Sequence, residues 1–91
     1  MTPLFNPATA NGSSAAFVST GRFMTLVASG SFGGGTLTVQ ASLDGIAWLD
    51  TDVSATGPAA LNFLSGLGVY HRLNLTGATG PNLFASVAYE Q

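Results

Sequence analysis

From position 36 to position 43 the chain alternates without a break. Thr36, Thr38, Gln40 and Ser42 interleave with Leu37, Val39, Ala41 and Leu43. A helix would scatter these two sets around its axis, whereas a strand sends successive side chains to opposite faces. The segment therefore predicts a β-strand with one dry face and one wet face. Asp44-Gly45 follows it and supplies a hairpin signal, because a type I′ turn needs positive φ at its two central residues. A returning strand is expected to begin near Ile46 and to carry Trp48.

The rest of the chain extends this pattern. No window carries a 3.6-residue apolar period, and the 12 glycines recur at short intervals, as β-turn punctuation does. Further strands are expected at residues 15–20, 22–29, 60–64, 69–76 and 82–89, with Gly21 as a bend. Residues 51–58 and 65–68 read as turns, and Gly33-Gly34-Gly35 as a flexible connection. Residues 1–14 read as an N-terminal arm held extended by Pro3 and Pro7. Leu4 and Phe5, its bulky apolar groups, bury too little to offset roughly 1–2 kcal/mol of backbone ordering per residue. The arm is thus expected to become fixed only against a neighbour. Residues 15–91 then make one domain, since 91 residues allow a single core. The expected fold class is all-β: an antiparallel β-sandwich of about seven to eight short strands, with jelly-roll connections as one option.

Charge narrows the possible partners. Only 7% of residues are charged while 46% are apolar, against a usual charged share of about 25%. So little charge protects a lone domain poorly against association, and covering by partners resolves the difficulty. Arg22 and Arg72 are the two basic residues, too few to neutralise several phosphates, which argues against nucleic acid and against an anionic membrane surface. No apolar run approaches the ~20 residues of a spanning helix. The N-terminal residues lack the basic and apolar regions of an export signal, so assembly in a cytoplasm is expected. The absence of cysteine removes disulfides and thiolate ligands.

The strand expected at 22–29 is apolar on both parities: Phe23, Thr25 and Val27 on one, Met24, Leu26 and Ala28 on the other. Such a strand fits a sandwich whose outer face meets a neighbouring subunit; cover by a loop or by the N-terminal arm fits as well. The candidate partner-binding residues are Leu4, Phe5, Met24 and Leu26.

Little in the sequence points to catalysis. His71 is the only histidine, it stands in an aliphatic strand pattern, and no serine occupies a nucleophile-elbow context. It reads as a neutral core or interface residue. Asp50-Thr51-Asp52 has the alternation of oxygen-ligand loops but lacks the remainder of a calcium loop. Trp48 reads either as a plug for one end of the sandwich or as a platform for a sugar ring. No catalytic residue, metal, cofactor or small-molecule substrate is expected.

The stretch from Gly34 to Trp48, Gly-Gly-Thr-Leu-Thr-Val-Gln-Ala-Ser-Leu-Asp-Gly-Ile-Ala-Trp, resembles small β-sandwich virion proteins of tailed bacteriophages. Those proteins read Gly-Gly-Thr, then alternating strand residues with Gln and Ser, then Asp-Gly and a nearby Trp. The stretch from Gly68 to Gly80, with Tyr70 and Arg72 on a strand before a Thr/Gly loop, is similar to their companion element. The resemblance implies a capsid decoration (cement) protein that binds major-capsid subunits as a homo-oligomer, with a trimer as the first expectation. A neck, tail or fibre part, or a carbohydrate-binding module using Trp48, is the alternative. Localisation in the virion, after assembly in the host cytoplasm, follows from the same resemblance.

Overall fold

The computed structural model describes residues 2–18, 23–64 and 68–90, with the backbone alone for Thr2, Leu64, Tyr89 and Glu90. The bend expected at Gly21 and most of the turn expected at residues 65–68 lie outside the described residues. Among the described residues nine strands follow one another: β1 (Thr2–Ala8), β2 (Gly12–Ser13), β3 (Phe17–Val18), β4 (Phe23–Ser31), β5 (Thr36–Ser42), β6 (Leu49–Ala55), β7 (Ala59–Leu64), β8 (Tyr70–Thr76) and β9 (Asn82–Glu90). They form two antiparallel sheets. The first has the order β1-β9-β4-β7; in the second, β8 lies between β5 and the short pieces β2 and β3, and β6 closes the far side. The protein is thus an all-β antiparallel sandwich.

The two short pieces act as one interrupted edge strand along β8. Ser13 pairs with Asn74 and Phe17 with His71, and Ser14 bridges the gap. Its backbone N–H donates to the Leu73 carbonyl at 2.8 Å, and its hydroxyl accepts from the Leu73 N–H at 2.9 Å. Taken as one, β2 and β3 reduce the fold to eight strands whose order in the two sheets is that of a jelly roll.

The inner faces meet in a dry core. Met24, Leu26 and Ala28 of β4 and Leu83, Ala85 and Val87 of β9 pack toward Leu37 and Val39 of β5 and Leu73 and Leu75 of β8. Each set sits two residues apart along its strand, which is the spacing that puts side chains on one face. The alternation expected in 36–43 therefore reports the sheet correctly as far as Val39. Beyond it Gln40 and Ser42 are also largely covered, because the loop and strand that follow fold over them.

Three segments differ from the sequence reading. Residues 2–8 of the expected arm are a strand, β1, lying along β9 with Thr2 opposite Val87 and Ala8 opposite Leu83. Its two register shifts, between Pro3 and Phe5 and between Phe5 and Ala8, make room for prolines that a regular ladder would reject. Residues 51–55, read as turn, complete β6. Here the register slips by two residues between Thr38–Ser54 and Gln40–Asp50, and the Thr51 hydroxyl donates to the Val39 carbonyl at 2.7 Å across the irregularity. Finally, the two glycine-bearing turns exchange roles. Gly33 and Gly34 both have positive φ, +60° and +78°, and the Gly35 N–H bonds the Phe32 carbonyl at 2.9 Å. That is the type I′ geometry expected at Asp44-Gly45, and here it carries the chain from one sheet to the other.

Candidate functional site

The sandwich leaves two surfaces whose chemistry stands out: the outer face of the first sheet and the loop at residues 43–48. On the first, β4 sends Phe23, Thr25 and Val27 outward, and β9 adds Phe84, Ser86 and Ala88. Phe23, Val27 and Phe84 are exposed. Thr25 and Asn62 form a cross-strand pair in their midst, with the Thr25 hydroxyl donating to Asn62 Oδ1 at 2.7 Å. No charged side chain stands on this face among the residues whose side chains are described; the register sets the backbone of Glu90 opposite Phe23. A solvated sheet face ordinarily carries polar residues outward, and here Phe23, Val27 and Phe84 interrupt that pattern.

The four candidate partner-binding residues are placed otherwise. Met24 and Leu26 are fully buried between the sheets and reach no surface of the folded chain. Leu4 and Phe5 are half-buried and pack against the chain's own core from β1. The outward residues of the same strand, Phe23 and Val27, occupy the position assigned to Met24 and Leu26. Both parities of β4 are apolar, so its own pattern could not say which one faces in. The signal lay in β9, where Leu83, Ala85 and Val87 alternate with Phe84, Ser86 and Ala88 and register with β4 residue by residue.

The loop at 43–48 is ordered by its own side chains. Asp44 Oδ1 accepts from the N–H groups of Ile46 and Ala47 at 2.9 and 3.0 Å and from the Ser42 hydroxyl at 3.0 Å. Ser42 Oγ in turn accepts from the Gly45 N–H at 2.8 Å. These donors, the Ile46 amide first, hold the Asp44 carboxyl below its ordinary value of 3.8. Gly45 takes φ +76°, and a Cβ there would come within 3.0 Å of the Tyr70 ring. The type I′ turn expected at Asp44-Gly45 does not form, because no residue other than glycine has positive φ among the described residues.

The outer face of the second sheet is polar and internally satisfied. Arg72 Nε donates to Gln40 Oε1 at 2.7 Å, and Gln40 Nε2 donates to Asp50 Oδ1 at 2.8 Å. The Arg72 guanidinium lies 4.4 Å from the centre of the Trp48 ring, a cation–π contact. Trp48 is half-buried on this face and lies outside the core cluster, so it does not plug the sandwich. His71 is buried, as expected of a core histidine. Its Nδ1 lies 3.2 Å from the Gln40 carbonyl, and its ring sits 5.8 Å from Phe17 and 5.7 Å from Phe63. Burial pushes its pKa down, and the Gln40 carbonyl partly opposes this. Among the described residues no group of three His, Cys, Asp or Glu side chains converges to hold a metal ion. No protein-family model, curated protein or solved structure matches this chain.

Proposed function

We propose that this chain is a non-enzymatic structural protein of a tailed-phage virion: a capsid decoration (cement) protein, homo-oligomeric, that stabilises the shell by gripping major-capsid subunits. One observation carries the reading. The outer face of the first sheet is uncharged among its described side chains and presents Phe23, Val27 and Phe84 to solvent. A partner that covered this face would bury Phe23, Val27 and Phe84 together, and a shell offers a large, fixed, repeated surface. The resemblance of residues 34–48 and 68–80 to small virion proteins supports the same partner. The Arg72 guanidinium takes up one face of the Trp48 ring, so a sugar in the carbohydrate-module alternative would stack on the other.

The test is co-sedimentation with empty shells of the major capsid protein from the same virus, followed by calorimetry of the shells. The protein should pellet with the shells and raise their melting temperature, since a ligand bound only to the assembled state stabilises it by mass action. The double variant Phe23→Ser/Val27→Ser should fold yet stay in the supernatant. A folded wild-type protein that remains in the supernatant overturns the reading.

A further inference from the structure

Five asparagines stand in the chain, and Asn11 alone is followed by glycine. That pairing matters chemically: the backbone nitrogen of the next residue can attack an asparagine side-chain carbonyl, and glycine has no Cβ to obstruct it. Asn6 precedes Pro7, which has no N–H to lose, while Asn62, Asn74 and Asn82 precede the bulky Phe63, Leu75 and Leu83. Asn11 and Gly12 are both exposed, at the bend where the chain leaves β1 for β2. The fold puts the Asn11 amide to use. Its Nδ2 donates to the Ala78 carbonyl and its Oδ1 accepts from the Ala78 N–H, both at 2.9 Å. Ala78 lies in the β8–β9 connection, and the Thr79 N–H beside it donates to the Gly33 carbonyl at 2.9 Å. A Cβ at Gly35 would come within 2.8 Å of the Ala78 Cβ, so the same loop sits directly on the β4–β5 connection. The β1–β2, β4–β5 and β8–β9 connections each pass from one sheet to the other. They are thus tied together at one end of the sandwich, with the Asn11 amide clamping the first to the last.

We propose that Asn11 is a site of spontaneous deamidation, gated by its clamp on Ala78 and one-way once passed. The Gly12 nitrogen forms a bond to Asn11 Cγ, the Cγ–Nδ2 bond breaks, and the proton of the Gly12 N–H leaves with Nδ2 as ammonia. Water then opens the five-membered imide at either carbonyl, giving aspartate or its β-linked isomer. Nothing is oxidised or reduced. Closing that ring turns the side chain off its staggered wells, so an amide held at both ends has to release Ala78 first. Once the reaction is complete the clamp does not re-form at neutral pH, where the product carboxylate is ionised. It presents an acceptor oxygen where Nδ2 donated, and the Ala78 carbonyl facing it is an acceptor too. The β-linked product also adds one atom to the main chain just ahead of Gly12, whose pairing with Leu75 begins β2. This chemistry needs no partner and holds whichever surface the protein attaches by.

Incubating the full chain at mildly alkaline pH, folded and in concentrated urea, and then digesting it with trypsin for mass spectrometry tests this. Cleavage after Arg22 yields a peptide holding Asn6 and Asn11, of which only Asn11 has an attacking N–H after it. In urea Asn11 should convert first among the asparagines. In the folded protein it should convert about tenfold or more slowly, the hold of two hydrogen bonds. It should nonetheless convert faster than the unfolded fraction in the same buffer allows, because the opening is local. Asn11→Asp, which makes the product directly, should melt roughly 4–8 °C below wild type, the effect of one lost hydrogen bond in a domain of this size. Equal rates in urea and in the fold would overturn the gating by Ala78. A folded rate no greater than global unfolding supplies would overturn the local release. An Asn11 that stays an amide in urea, or an Asn11→Asp chain that melts with wild type, would overturn the proposal as well.

Discussion

At the scale of single residues, His71 makes the fold sensitive to pH. Its ring is buried between Phe17 and Phe63 and its pKa is pushed below the ordinary 6.5, so the folded state favours the neutral form. In the unfolded chain the ring takes up a proton near its ordinary value. The sign follows: stability is full above about pH 6.5 and is lost as pH falls below it toward the folded-state pKa. The slope in this window is at most about 1.4 kcal/mol per pH unit, the value for one proton. Denaturant unfolding at pH 8, 6 and 5 should show it, and His71→Phe should remove it; a wild type equally stable at all three would contradict the assignment. The neighbouring question on β4 is also one of single residues. Met24→Ala opens space in a fully buried site and should cost about 2–5 kcal/mol. Phe23→Ala, on the outward parity, should cost far less, about 1 kcal/mol. Equal costs would mean that the strand has been placed with the wrong face inward.

At the scale of elements, β1 is where sequence and structure part most clearly. The strand lies along β9 from Thr2 opposite Val87 to Ala8 opposite Leu83, with Leu4 and Phe5 against the core. Deleting residues 2–8 should therefore lower stability by at least about 2–3 kcal/mol from two half-buried side chains, or roughly 10–20 °C in melting temperature. A truncated chain that melts with the full one would restore the detached arm. What hid this strand was proline. Pro3 and Pro7 argue against a ladder in any regular register, and only the bulges of an edge strand admit them. β6 was hidden for a related reason. Asp52 and Ser54 read as turn residues, and the two-residue slip with its Thr51 hydroxyl bridge leaves no mark in an alternation pattern. By contrast β5, β8 and β9 were legible because each is half-buried in register, and burial of one face is what period-2 patterning records. The candidate surfaces were less legible than the fold. Leu43 and Ile46 read as strand continuation, since nothing local distinguishes an aliphatic residue aimed at water from one aimed at a core.

At the scale of the whole molecule, the scarcity of charge determines how this protein can hold on to anything. Two basic and four acidic residues leave little for electrostatic steering or for salt-sensitive contacts. Of these, Asp50 is tied to Gln40 and Asp44 to its own loop, so part of even this small set is engaged internally. Attachment through the Phe23–Val27–Phe84 face would be driven by apolar burial. Raising sodium chloride from about 0.05 to about 0.5 M shortens the screening length severalfold and would loosen a charge-driven contact. Here it should leave shell binding nearly unchanged. Ammonium sulfate, which strengthens apolar burial, should tighten it, and cooling should loosen it. Isothermal binding to shells in low salt, in high sodium chloride, in ammonium sulfate and at a lower temperature reads these responses. Shell binding that falls steeply with sodium chloride would place the contact on the polar second sheet, at Arg72 and Asp50, and away from the apolar face of the first.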